Sequence, residues 1–509
     1  MKRVLILITL AMLLAGSTYP LPPSRTQLPG PTTAIHDVRS WINANELLMF
    51  TGNSGIYAYD AERSLGRFPG LYFPYVGIPA IQNGTANKTV LFAAGLWIGA
   101  LDSASSDTLV TVADYAPEFT PGHMVDHTFV PGIDTEPAVK VYRIYSDSLQ
   151  SNPNSDYLNW PADQGAPLDS LGRPAILGDQ TTWCVYNDAD PSRHLNPSGE
   201  TQPLGIEVQQ TSFAFSETGS LSRTIFLKYK IINKGLRTLD SLYVSLWSDP
   251  DLGSSADDLV GCDTTRSLGF CYNGADNDGI YGTKPPAVGY DILQGPIVYT
   301  GKIDDTGVVW GLRKVGYRNL GMTSFNKYFN GADPFSYART YNYMRGLNPD
   351  GTPYTFQGAA LKYAASGNPV TGTGDVDTSP ADRRMMLSTG PLKMRPDDST
   401  EIVAAIIVAQ DTSRLASVAK LMYRDWFIQR FWDLGMPSGC CLGTRGDITN
   451  DYLVDLSDIS AFIDYLFFSG PITTCTMAAD VDGSGAVDVT DLQSLVDYLF
   501  FGGAIMDCW

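Results

Sequence analysis

Asp447-Ile-Thr-Asn-Asp451-Tyr-Leu-Val-Asp455-Leu-Ser-Asp458 and Asp480-Val-Asp482-Gly-Ser484-Gly485-Ala-Val-Asp488-Val-Thr-Asp491 are one unit written twice, displaced by 33 residues. The register persists beyond the acidic run. Asp464-Tyr465-Leu466-Phe467-Phe468 recurs as Asp497-Tyr498-Leu499-Phe500-Phe501, and Cys475 recurs as Cys508. A repeat kept this closely is an architectural unit. A calcium ion wrapped by one short loop takes oxygens from loop positions 1, 3, 5, 7, 9 and 12, with glycine at position 6 for the sharp turn. In the second copy those positions are Asp480, Asp482, Ser484, the carbonyl of Ala486, Asp488 and Asp491, and Gly485 makes the turn. In the first copy they are Asp447, Thr449, Asp451, the carbonyl of Leu453, Asp455 and Asp458. There Thr449 replaces the usual Asp or Asn and Tyr452 the turn glycine, so the first site is expected to bind weakly or through a distorted loop.

The residues after each loop read as helix. Leu492, Leu495, Val496, Leu499 and Phe500 fall at i, i+3, i+4, i+7 and i+8, and Ile459, Phe462, Ile463, Leu466 and Phe467 repeat that stripe. Only Gly443-Thr-Arg-Gly446 separates Leu442 from Asp447, which leaves no room for a preceding helix. The unit is therefore a loop followed by a helix, with Asp rather than Glu at position 12. Residues 440–509 resemble a type I dockerin, a small calcium-folded module that plugs a secreted protein into a cohesin. The resemblance implies two bound Ca2+ ions and a cohesin-type partner. It also implies that the partner is read by loop positions 10 and 11, Leu456-Ser457 and Val489-Thr490, and by Ile463, Asp464, Phe468, Val496, Asp497 and Phe501 on the helices. The apolar residue at position 10 departs from the usual Ser-Thr pair. A second reading of Phe468 and Phe501 packs the two helices together, although the stripe is already filled without them.

A chain of 509 residues is long enough for several domains and a large core. It opens as a targeting segment: basic Lys2-Arg3, apolar Val4 to Leu14 and small Ala15-Gly16-Ser17 read as a signal peptide over residues 1–17. No later stretch reaches the roughly 20 apolar residues of a membrane-spanning helix. Export and an extracellular location follow as the expectation. The net charge is −19, and from 439 onward eleven Asp stand against a single basic residue, Arg445, a net of −10. Most of those carboxylates are placed as metal ligands. Such a surface repels nucleic acid, which needs basic contacts. Seven cysteines in an exported chain point to disulfides. Cys440, Cys441, Cys475 and Cys508 bracket the repeats and allow three pairings. Cys262 and Cys271 read as a hairpin disulfide. Cys184 is left over, with no base motif beside it, and reads as a buried thiol rather than a nucleophile.

Between the leader and the repeats, residues 18–44 are Pro-rich and read as a tether. Residues 45–435 consist of short apolar or alternating runs cut by Gly, Pro, Asn and Asp, the pattern of strands. Gly205 to Phe215, Arg223 to Ile232 and Leu239 to Trp247 are the clearest. Phe226 or Leu227, Tyr229 and Ile231 alternate with Lys228 and Lys230, as in a sheet with one buried face. Glu401 to Gln410 has no polar face and reads as a central strand. One long helix is expected from Asp411-Thr-Ser413 to Gly435, with Leu415, Val418, Met422 and Phe427 on its apolar face. The fold class is thus mainly β: a β-sandwich-rich body and a small C-terminal α module of two calcium-loop-helix repeats. Through Gly178–Asp190, Ser245–Gly253 and Asp382–Pro391 the body resembles uncharacterised exported proteins of environmental bacteria, which implies no activity.

Candidate chemistry in the body is sparse. Asp249, Asp251, Asp257, Asp258, Asp263, Asp276 and Asp278 cluster in sequence, as a second calcium site or as Asx-turns. His123 and His127 have zinc spacing, but Pro and Gly flank them and no helix is expected. Trp97, Trp160, Trp183, Trp247 and Trp310 are residues that stack on sugars, yet several lie inside apolar strands and read as core. Gly367 to Gly374 lacks the lysine and serine of a phosphate loop. Three readings of the whole remain. In the first, a non-catalytic body (surface, matrix or glycan-binding) is attached through its dockerin to a cohesin. In the second, a polysaccharide-degrading glycoside hydrolase is delivered by that dockerin, its two carboxylates not nominable from sequence. In the third, the calcium module caps the body of its own chain.

Overall fold

The computed structural model describes residues 40–59, 70–82, 88–146, 154–217, 219–433, 435–436, 445–449, 454–471, 476–482, 484 and 486–503. The leader and most of the Pro-rich stretch lie outside them, as do Cys440, Cys441, Cys475 and Cys508. The strand Ser40–Ile42 pairs antiparallel with Leu48–Thr51. The folded body therefore begins by Ser40, inside the stretch expected to be tether.

Two large antiparallel sheets form the body. The first runs in the order Ser324–Phe329, Arg383–Met394, Leu239–Asp249, Ala93–Asp102, Ile56–Tyr57, Leu48–Thr51, Leu71–Tyr72 and Thr89–Leu91. The second runs Asp258–Asp263, Leu268–Asn273, Ala287–Gln294, Ser399–Ala409, Thr224–Asn233, Ile206–Ala214, Gln180–Asn187 and Thr120–Pro121. Leu96, Ile98, Val244, Leu246, Met385 and Leu387 of the first sheet share one buried core with Leu227, Tyr229, Ile231, Val288, Ile402, Ala404 and Ile406 of the second. That shared core makes the pair a sandwich, with alternate residues of each strand facing inward.

The outer face of each sheet is covered too. Phe226, Val403, Ala405 and Ile407 point away from the sandwich and pack under Val418, Leu421, Phe427, Ile428 and Phe431 of the long helix Arg414–Asp433. Ser413 caps that helix, its hydroxyl accepting from the Ala416 amide at 3.2 Å. In the strand Thr224–Asn233 the expected alternation holds, with Leu227, Tyr229 and Ile231 buried and Lys228, Lys230 and Ile232 half-buried, while Phe226 on the second face is buried under the helix. On the first sheet, stacked Trp97 and Trp247 (centroids 5.5 Å apart) lie under Tyr341 and Met344 of the helix Tyr337–Met344. No described helix is long and apolar enough to cross a membrane.

The hairpin disulfide is not formed. Asp258–Asp263 and Leu268–Asn273 do pair as a hairpin, but Cys262 stands opposite Gly269 and Cys271 opposite Val260. The two residues share a face as diagonal neighbours, whose Cα atoms in such a pair lie about 7–8 Å apart, beyond the usual span of a disulfide. Both are free and buried in the sandwich core. Cys184 is likewise buried and in no disulfide among the described residues, its thiol 3.5 Å from the Gly52 carbonyl.

One buried contact ties the long helix to the sheet through acids. The carboxyl of Asp291, at the end of Ala287–Gln294, lies within hydrogen-bonding reach of Asp425 on the helix. Neither oxygen of Asp291 finds any other hydrogen bond among the described residues. Arg266 stands 3.8 Å from Asp425, and Asp263 and Asp433 are the further charges nearby. Burial pushes both carboxyls up, Asp425 to about 7. A carboxyl whose folded pKa is raised favours the folded state at low pH and loses that advantage as pH rises through the folded value. Thermal melts of the full chain should therefore fall between pH 5 and pH 8. Asp425→Asn should flatten that fall and raise the midpoint at pH 8 by about 2–4 °C for each kcal/mol of relieved repulsion.

Candidate calcium centre

Each repeat helix begins on its own loop. Asp455 caps Leu456–Phe468, accepting from the Ser457 amide, and Asp488 caps Val489–Phe501, accepting from the Thr490 amide. Both form capping boxes with the residue three positions on, Asp458 and Asp491. These position-12 carboxylates reach across the loop as well. Asp491 accepts from the Asp482 amide at 3.0 Å and the Asp488 amide at 2.8 Å. Asp458 accepts from the Thr449 amide at 2.9 Å, the Thr449 hydroxyl at 3.0 Å and the Asp455 amide at 2.8 Å. Both side chains are fully buried. The short Asp at position 12 thus holds loop positions 3 and 9 together by their backbones.

In the second loop, carboxylate oxygens of Asp480, Asp482 and Asp491 lie within 4.8 Å of one another. Oxygens bound to a common Ca2+ at 2.3–2.6 Å lie within about 5 Å of each other, so the donor set fits that ion. Burial raises Asp491, whereas hydrogen bonds from Thr490 and Ser484 hold Asp482 below the usual carboxylate range. Asp488 and Ser484 are exposed at the loop surface, and the Ala486 carbonyl lies 3.4 Å from the Ser484 hydroxyl. In the first loop, Asp447 is buried while the Thr449 hydroxyl donates to Asp458. Asp451 and Leu453 lie outside the described residues. Among the described residues, the second loop is the repeat that gathers three carboxylates.

Arg445 is a residue that the motif alone does not mark. It is buried, donates to the backbone carbonyl of Asp480 and stands 3.2 Å from that residue's carboxylate. The neighbouring Gly446 amide donates to the Ala478 carbonyl at 2.8 Å. The entry to the first loop is thereby fastened to the first ligand of the second. The repeat equivalent of Arg445 is Ala478, so the fastening is asymmetric.

Between the helices, Phe462 and Leu495 are buried with Ile448, Ala479 and Val481. The stripe is narrower than the sequence spacing suggests, because Phe467 and Phe500 are 60% and 58% exposed. Phe468 and Phe501 do not pack the helices together either, being 72% and 78% exposed. Leu456, Ser457, Ile463, Asp464, Val489 and Thr490 are exposed, while Val496 and Asp497 are half-buried.

The acidic residues of the body mostly satisfy their own backbone. Asp263 accepts from the amide and hydroxyl of Thr265, and Asp278 from the amides of Ile280, Tyr281 and Ser254. Asp276 accepts from the Arg414 amide, and Asp258 from the Leu252 amide. Asp249 and Asp251 do meet a third carboxylate, but it is Asp382, far away in sequence. The cation there is Arg384, 2.8 Å from Asp249 and paired with Asp382, and the Tyr115 hydroxyl donates to Asp249. Arg384 thus supplies this cluster with a resident positive charge.

The His123–His127 pair forms no helix face, and His127 Nδ1 contacts the Lys234 carbonyl at 2.9 Å. Buried His194 stands 3.9 Å from both Glu118 and Asp188. Each of those carboxylates accepts from three backbone amides. The knot pins the 188–206 loop.

Residues 445–500 match the family model of the dockerin type I domain. No curated protein matches the chain. Asp491→Asn should lower the calcium stoichiometry by one in isothermal titration, with the first loop still titrating. Arg445→Ala should destabilise the calcium-depleted module by about 1–3 kcal/mol, the range for a buried charged hydrogen bond. Denaturant melts in chelator check that figure, and Arg445→Lys should restore little of it because the forked geometry is lost.

Proposed function

We propose that the chain is an exported two-part protein whose C-terminal module binds Ca2+ and attaches, in its calcium-loaded form, to a cohesin-type extracellular partner. The convergence of Asp480, Asp482 and Asp491 on one loop, within the dockerin match, carries this reading. When bound, the ion supplies a charge centre that holds the loop closed. The chain's own residues do the rest. Asp458 and Asp491 lock each loop onto its helix, so the outward face of that helix is presented in a fixed orientation. Leu456, Ile463 and Phe468, with Val489 and Phe501, give that face an apolar centre, flanked by Ser457, Thr490, Asp464 and Asp497. Such a face with polar neighbours has the anatomy of a protein interface.

Two ions are expected, the second loop holding the tighter one. The basic-then-apolar start of the chain, residues 1–17, supports export. The body, residues 40–436, is read as non-catalytic cargo, because the carboxylates most perturbed by burial are engaged with internal partners. Asp249 is held by Arg384 and Tyr115, Asp258 by the Leu252 amide, and Asp291 by Asp425. A glycoside hydrolase needs two such groups facing substrate.

The test is capture of the full chain on an immobilised type I cohesin in calcium and in chelator. Retention in calcium alone is the expected result. The double substitution Leu456→Asp with Val489→Asp should abolish retention while calcium stoichiometry is unchanged. Equal retention in chelator, or retention by that double variant, would exclude this face as the attachment surface.

A further inference from the structure

After Ala287–Gln294 the chain leaves the sheets for an arm, residues 297–319. Within it Ile297–Tyr299 pairs with Tyr317–Asn319, and Thr306–Val309 with Leu312–Val315. The root of the arm is pinched shut. The Asn319 amide group donates to the Gly295 carbonyl at 2.7 Å and to the Val308 carbonyl at 2.8 Å. A Cβ on Gly295 would stand 1.7 Å from the Leu320 carbonyl oxygen, so only glycine permits that closure. The arm is thus a fixed wall. It faces the start of Leu239–Asp249, the end of Arg383–Met394 and the turn into Ser399–Ala409 across a cleft of about 570 Å3.

Three features set this cleft apart. First, its floor is a bulge: the register of Leu239–Asp249 shifts against both neighbouring strands there, and Ser241 is held at φ 46. Bulges and left-handed non-glycine residues gather where a protein re-aims side chains for function. Second, the cleft is lined by three cations, Lys314, Lys393 and Arg395, against two carboxylates, Asp240 and Asp398. The arm carries Lys302, Arg313, Lys314 and Arg318 against Asp304 and Asp305, and none of those four cations forms an ion pair among the described residues. Lys393 is already paired with Asp240 at 2.9 Å, and Asp398 accepts from the Arg395 amide at 2.7 Å. Lys314 and Arg395 are thus the lining cations with no ion pair among the described residues, and Asp398 is the remaining carboxylate. Third, an aromatic face stands open beside them. Tyr299 is 73% exposed and meets Tyr317 at 5.2 Å and 63°, and the Lys314 ammonium lies 4.0 Å from the Tyr317 ring centroid.

We propose that this cleft binds an acidic polysaccharide, with Tyr299 stacking on a pyranose ring and Lys314 and Arg395 pairing with the uronate carboxylates of the chain. An open tyrosine face beside a cation fits a flat ring that carries a carboxylate. An acidic peptide such as polyglutamate offers the carboxylates but no pyranose ring for the open Tyr299 face. The inference builds on the non-catalytic reading of the body, and the experiment separates the two.

Full-length protein in calcium is run on native gels cast with hyaluronate, glucuronoxylan, dextran or polyglutamate, with reducing ends assayed in parallel. Retardation by at least one of the two uronate polymers is expected, weakened by raised salt, with none in dextran. Tyr299→Ala and Lys314→Ala, both at exposed positions, should each lower the apparent affinity by about tenfold. No retardation by either uronate polymer, equal retardation by polyglutamate, or unchanged binding by both variants overturns the site. Release of reducing ends with retardation intact overturns the non-catalytic reading and leaves the cleft standing.

Discussion

The body depends on burying both sides of one strand. Ser399–Ala409 pairs antiparallel with Ala287–Gln294 on one edge and Thr224–Asn233 on the other. Its alternate residues divide the interior: Ile402, Ala404, Ile406 and Val408 fill the sandwich, and Val403, Ala405, Ile407 and Ala409 fill the layer under the long helix. A strand with no solvent face must be covered twice, and the chain supplies the second cover at once, since Arg414–Asp433 begins only a few residues later. Full burial of each large aliphatic chain here is worth roughly 1.5–3 kcal/mol. The sandwich and the helix layer are therefore coupled through the same eleven residues.

Local signals were legible in the sequence and long-range ones were not. The run from Glu401 to Gln410 declared itself central because both of its parities are apolar. The calcium loops were legible because every ligand sits within one short segment, at positions fixed by the ion's geometry. The allocation of strands to sheets was not legible. Thr224–Asn233 and Leu239–Asp249 are neighbours across the Asn233-Lys-Gly235 turn, yet they belong to opposite sheets. Asp382 could not be joined to Asp249 in advance, because only the pairing of Arg383–Met394 with Leu239–Asp249 brings them together. The disulfide expected from Cys262 and Cys271 failed on register: the hairpin was right and the facing pair was not. Tyr337–Met344 escaped because eight residues rich in tyrosine, arginine and asparagine carry little helical periodicity.

Charge is handled in two ways along the chain. In the body, buried carboxylates are given a resident partner, Arg384 for Asp249, Lys327 and Arg383 for Asp377, or the backbone amides around Glu118 and Asp188. In the calcium module that solution is largely missing, since one arginine faces eleven aspartates. Gathering three carboxylates within 4.8 Å without a metal costs repulsion at neutral pH. A bound cation would offset that repulsion, so the module should gain stability on loading.

The long helix also has a mechanical meaning. It leaves the central strand and runs back over the sheet, so it is the last described element of the body before the dockerin-matching repeats. A drag force applied at the attached end reaches Arg414–Asp433 from its C-terminal side and meets Phe431, Ile428 and Phe427 first. Those contacts can release one helical turn at a time. The strand behind them is hydrogen-bonded along both edges and can yield only by breaking two ladders together. Under load the helix would be the first cover to lift, baring the apolar face of Val403, Ala405 and Ile407 before either ladder breaks.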